Sequence, residues 1–93
     1  MLHIIKTIDA IEDSLLFSHL DDQFILVEDA VYGLISQKVL NGPIKDHLDH
    51  CYALAQDVQA RGLDVQSIFK SQLVDFDAFV GLTEMHIQTM TWE

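Results

Sequence analysis

Apolar residues come in short bursts along this chain, and the bursts change period. Leu2-His3-Ile4-Ile5 is a brief apolar, β-prone run that predicts a first strand. From Asp9 to Leu20 the spacing turns helical. Ile8, Ile11, Leu15 and Leu16 fall near one face, and Asp9, Glu12 and Asp13 sit in the first turns, where acids complement the helix dipole. Asp21-Asp22 breaks that pattern. Phe24-Ile25-Leu26-Val27 is continuous rather than alternating, which suits a strand covered on both faces of a parallel sheet. Glu28-Asp29 ends it.

Ala30 to Leu40 reads as a second helix with Val31, Leu34, Ile35 and Val39 on one side, stopped by Asn41-Gly42-Pro43. His50-Cys51-Tyr52-Ala53-Leu54 predicts a third strand. Asp57 is placed to cap a short helix that ends at Arg61, with Gly62 at the position that favours a left-handed residue. Gln72-Leu73-Val74-Asp75 reads as a fourth strand. Phe76 to His86 reads as a last helix, with Phe76, Phe79, Val80 and Thr83 on one face. Val65 to Phe69 fits strand or loop, and Ile87 to Glu93 has no clear period. The alternation β-α-β-α-β-α-β-α predicts a mainly parallel sheet of four to five strands between helical layers. Residues 1–93 form one domain, with no linker, repeat or low-complexity stretch.

Composition narrows the function classes. Hydrophobic residues make up 49% of the 93, enough for a core, yet a domain this small buries a limited share of its surface. Cys51 is the only cysteine, so disulfides give no support and a reducing, cytoplasmic setting is expected. Association with other chains is the natural remaining support, and the open edges of a small sheet point the same way. The opening residues lack an apolar leader core, and no apolar run approaches the roughly 18 residues that span a bilayer, so no membrane is expected. Fifteen acidic against five basic residues give a net charge of −10, which repels phosphate backbones and argues against direct nucleic-acid binding.

The loops at the carboxyl ends of the predicted strands, where α/β sheets gather ligands, are not glycine-rich. No phosphate cradle or dinucleotide fingerprint is present, and no cofactor is assigned. No nucleophile elbow surrounds any serine. Glu28, Asp29 and Asp57 imitate part of a phosphoacceptor cluster, but no lysine follows the fourth strand.

Asp46 to Cys51 is the densest run of ligand-type side chains. On a helix His47 and His50 would share a face, and zinc could take both with Cys51 and a carboxylate. The segment is read instead as a loop entering a strand, which sends His47 and His50 to opposite sides, and no metal site is assigned. Cys51, inside a strand and far in sequence from cations other than Lys45, reads as a small buried hydrophobe rather than a catalytic thiolate. His3, His19 and His86 are scattered and read as structural. Trp92 either packs back on the domain or enters a partner; with Met90 it is assigned to an interface.

Several motifs in order carry a resemblance. Met1-Leu2-His3 opens onto an apolar strand. Tyr52-Ala53-Leu54 leads to Asp57 and Ala60-Arg61-Gly62-Leu63. Leu73-Val74-Asp75-Phe76 continues into Phe79-Val80 and Leu82-Thr83, and Met90-Thr91-Trp92 follows near the end. Together they resemble the TusB/DsrH family of small sulfur-relay proteins over almost the whole chain. The resemblance implies a three-layer α/β/α DsrE-like domain. It further implies a non-catalytic place beside TusC/DsrF-like and TusD/DsrE-like subunits, with the transferring cysteine on the TusD-like chain. Such a complex supports 2-thiolation of the wobble uridine in tRNA. DsrH-type members can carry a cysteine after the first strand; Lys6 to Asp22 contains none, which favours the Tus-type reading over a sulfur-oxidation complex. The other readings are a sulfurtransferase that carries persulfide on Cys51 and a self-associating acidic regulator.

Overall fold

The computed structural model describes residues 1–19, 21–35, 42–63 and 72–93. Five strands form one sheet: β1 (Leu2–Ile5), β2 (Gln23–Leu26), β3 (Cys51–Leu54), β4 (Leu73–Val74) and β5 (Thr89–Trp92). Their order across the sheet is β4-β3-β2-β1-β5, and every pairing is parallel. Among the described residues three α-helices alternate with them: α1 (Ile8–Phe17), α2 (Ala55–Ala60) and α3 (Phe76–Met85). Two 3₁₀ helices cover Glu28–Ile35 and Pro43–His50. No helix among the described residues is long and apolar enough to cross a membrane.

Two apolar clusters make the three layers. On one face of the sheet Ile5, Phe24, Leu26, Cys51 and Ala53 pack against Ile11 and Leu15 of α1, Val31 and Leu34 of the first 3₁₀ helix, and Val58 of α2. On the other face Leu2, Ile25 and Val27 pack against Leu82 and Phe79 of α3. The continuous run Phe24 to Val27 is buried throughout because adjacent residues point into opposite layers, and both layers are filled.

Local chemistry sets the element ends. The Thr7 hydroxyl accepts the Ala10 N–H at 3.3 Å and starts α1. The helix stops at Phe17, short of the expected Leu20, because Ser18 is extended and its hydroxyl donates to the Leu15 carbonyl at 2.9 Å. Leu20 itself lies outside the described residues. Leu16 and Ile8, expected on the apolar face, are exposed, and that face is built from Ala10, Ile11, Ser14 and Leu15. The Asp75 carboxylate accepts the Ala78 N–H at 2.8 Å and starts α3. The buried side of α3 is Leu82 with Phe79, whereas Phe76 and Val80 are exposed.

Gly62 takes the left-handed position after α2 with φ +63°. The Gly62 N–H donates to Gln59 and the Leu63 N–H to Val58, which closes the orphan carbonyls of that helix end. Asp57, however, caps nothing at the start of α2. The helix begins two residues earlier, without a side-chain cap, and the carboxylate accepts the Glu28 N–H at 2.6 Å instead.

Other expectations shift by a few residues. The second predicted helix is a 3₁₀ helix that starts earlier, at Glu28, with Ile35 exposed; residues 36–40 lie outside the described ones. Pro43 opens a 3₁₀ helix where a loop was expected, and His50 ends that helix rather than starting β3. The fourth strand is reduced to Leu73–Val74. Val65 to Phe69 lies outside the described residues. The tail without a clear period holds β5, which pairs with β1 from Leu2–Thr89 through Ile5–Trp92.

Candidate functional site

The strand order reverses at β1. Strands β2, β3 and β4 follow to one side, and β5 returns to the other. Such a reversal leaves a crevice at the carboxyl ends of the strands, where the flanking connections run apart. A shallow cavity of about 300 Å³ lies there, lined by Lys6, Thr7, Glu28, Asp29, Arg61 and Glu93.

Its charges are matched by geometry. The Lys6 ammonium lies 3.1 Å from Glu93 and 3.8 Å from Glu28. Arg61 bonds Asp29 through Nη2 at 3.0 Å and reaches Asp57 at 3.5 Å. The hydrogen bond with Glu93, then the charges of Glu93 and Glu28, raise Lys6 above its ordinary value, and the hydrogen bond with Asp29 does the same for Arg61. Lys6 therefore stays an ammonium at neutral pH and cannot serve as a base. The Thr7 hydroxyl is occupied in capping α1. Glu28 holds the one non-glycine positive φ among the described residues, +50°, so the chain bends sharply where β2 leaves the sheet. The lining thus offers fixed charge and no activated nucleophile.

Cys51 is elsewhere. It opens β3 opposite Phe24, at the far end of the sheet from the cavity, and is buried in the core. Burial pushes its thiol up to about 12. His47 sits three residues from His50 on the second 3₁₀ helix, where side chains at that spacing are eclipsed, not opposed as a strand would place them. The His47 ring packs edge-on against Phe24 at 5.5 Å, and His50 is exposed. Among the described residues no group of three or more His, Cys, Asp or Glu side chains could hold a metal ion, so His47, His50 and Cys51 are not brought together as ligands.

The sequence reading missed a polar chain that links the last residue of β5 to the amino end of the sheet. Trp92 Nε1–H donates to His3 Nδ1 at 3.0 Å. With Nδ1 accepting, the proton of a neutral ring sits on Nε2, which donates to Asp22 Oδ2 at 2.7 Å. Asp22 Oδ1 takes the Met1 ammonium at 3.1 Å, and Oδ2 also accepts the His19 N–H at 3.1 Å. His3 is fully buried and stacks on Phe24 at 5.0 Å. Burial pushes Asp22 up, but the hydrogen bonds from His3, the His19 N–H and the N-terminal ammonium outweigh it and hold the carboxyl at about 2. This is an acid–imidazole pair whose third member is an indole rather than a nucleophile, so its work is positional. Met90 and Trp92 lie half-buried on that face of β5, with Trp92 also edge-on to Phe17 at 5.8 Å. In the sequence, only the shared polarity of His3 and Asp22 beside apolar runs hinted at the pair.

Beside the Asp22 pair, His86 Nε2 and Gln23 Oε1 meet at 2.6 Å. Burial, then the nearby N-terminal ammonium, lowers His86 below its ordinary value.

Known proteins are similar to this chain in sequence. A family described as DsrH like protein matches residues 7–89. Protein TusB of Photorhabdus laumondii is 34% identical over 71 residues, covering 76% of this chain and 75% of the relative. Protein TusB of Serratia proteamaculans is 34% identical over 76 residues, covering 77% and 75%. Protein TusB of Escherichia coli is 34% identical over 76 residues, covering 76% and 75%. With the match running from the cap of α1 into β5, and relatives at this identity over three quarters of their length, the chain belongs to the DsrH-like family.

Proposed function

We propose that this chain is a non-catalytic, TusB-like subunit of a TusBCD-like sulfur-relay complex in the cytoplasm, one that supports 2-thiolation of the tRNA wobble uridine. Its partners are TusC/DsrF-like and TusD/DsrE-like subunits. The observation that carries the reading is the state of Cys51. A persulfide carrier must expose a thiolate, and the chain's sole cysteine is buried with its thiol at about 12. A member of a sulfur-relay family without a usable thiol serves by holding other subunits in place. The same observation disfavours persulfide transfer on Cys51. The charge of −10 supports leaving tRNA contact to other chains.

Co-expression with the TusC-like and TusD-like proteins of the same cell, followed by size exclusion, tests the reading. One co-eluting complex is expected, still able to relay sulfur when Cys51 is replaced by Ala. A chain that elutes apart from both, or a relay that stops in the Cys51→Ala complex while its assembly is intact, would overturn it.

A further inference from the structure

Strand β5 is an end strand of the sheet, and among the described residues no strand pairs with its outer edge. Leu2 N–H bonds the Gln88 carbonyl and Lys6 N–H bonds the Trp92 carbonyl, so the even-numbered residues of β5 face β1. By the alternation of a parallel ladder, the N–H and C=O of Thr89 and Thr91 point outward from the end strand of the sheet. Within Thr89–Trp92 there is no proline, lysine or bulge to blunt that edge.

An apolar contact joins it to α1, and an acidic row runs along that helix from the contact. Phe17, half exposed, touches Trp92, with half-buried Met90 two residues before Trp92 on the same face of the strand. Asp9, Asp13 and Phe17 stand four apart on α1 and form one row on the helix surface. Asp9 and Asp13 are both exposed, so the row that ends on the aromatic contact is acidic along the rest of its length.

We propose that the β5 edge accepts an extended strand from another chain, with basic side chains flanking that strand. The outward ladder of Thr89 and Thr91 selects a strand as occupant. Phe17, Met90 and Trp92 provide the apolar seat. The Asp9–Asp13 row attracts the basic flank, and it disfavours a second copy, which would bring its own charge of −10 to the contact. The inference rests on the proposed function only for the identity of the chains to be tried.

The test uses the full chain with the TusC-like and TusD-like subunits. Amide exchange at Thr89 and Thr91 should slow at least tenfold on assembly. Thr91→Pro removes one outward N–H and leaves the β1 ladder whole; it and the double variant Asp9→Lys, Asp13→Lys should each weaken assembly at least tenfold, with circular dichroism unchanged. Unchanged assembly by variants of native circular dichroism overturns the edge assignment alone. Failure of the unaltered chain to assemble overturns both readings. Protection of Thr89 and Thr91 that rises with concentration of the chain by itself would put a second copy there and overturn the basic-partner assignment. If Thr91→Pro proves unfolded, Thr91→N-methyl-alanine by semisynthesis decides on the same readout.

Discussion

Trp92 and His3 lie 89 positions apart and share a hydrogen bond of 3.0 Å that fixes which nitrogen of the imidazole carries its proton. Trp92→Phe keeps a ring there and removes the donor. His3 Nδ1 is then a buried acceptor with no donor, which costs about 1–3 kcal/mol. Urea unfolding followed by circular dichroism should show the midpoint fall with an unchanged slope. An unchanged midpoint would mean that the indole hydrogen bond contributes nothing.

Asp22 predicts an acid limit. Its folded value of about 2 lies below the ordinary 3.8. A depressed carboxyl stabilises the fold above its unfolded value and loses that contribution as pH falls. The loss should therefore run from about pH 4 down to pH 2 and amount to on the order of 1–2 kcal/mol. Asp22→Asn should be less stable than the parent at pH 6, and the gap should close as pH falls through that window.

Cys51 predicts an inert thiol. With its thiol at about 12, about one in 100,000 is thiolate at pH 7, and burial blocks the reagent as well. A disulfide-exchange dye at pH 8 should label the native chain at least a hundredfold more slowly than the chain in guanidinium. Equal rates would place the thiol in solvent and undo the argument for a non-catalytic subunit.

Glu28 predicts a stabilising substitution. Its φ of +50° costs an L-residue roughly 1 kcal/mol, and its contact with Lys6 at 3.8 Å is exposed and weak. Glu28→Gly should keep the N–H bond to Asp57 and gain about 0.5 kcal/mol after the extra freedom of glycine in the unfolded chain is counted. The readout is a raised thermal midpoint; a lowered one would show that the Glu28 side chain holds the turn.

The sheet was legible where burial is local. Phe24 to Val27 must be covered on both faces, and it is. Gly62 has the one residue type that fits its turn without strain. Leu16 and Ile35 were misread because apolar spacing tells which residues could face inward, not which direction the neighbours fill. Thr89 to Trp92 carried no signal because four alternating residues become a strand only when the edge of β1 is offered, and that edge is distant in sequence. The cavity was invisible for the same reason: its lining comes from segments up to 87 residues apart, as Lys6 and Glu93 do.

The position of β5 also orders events during synthesis. Of the five strands the interior strand β1 is made first, yet one of its two neighbours exists only after residues 89–92 have been translated. Until then the ladder of β1 is open on that side, and His3 waits for the indole that sets its proton. A partner strand docking as proposed on the outer edge of β5 would consequently meet only chains translated through Trp92, and so only chains whose sheet can be complete.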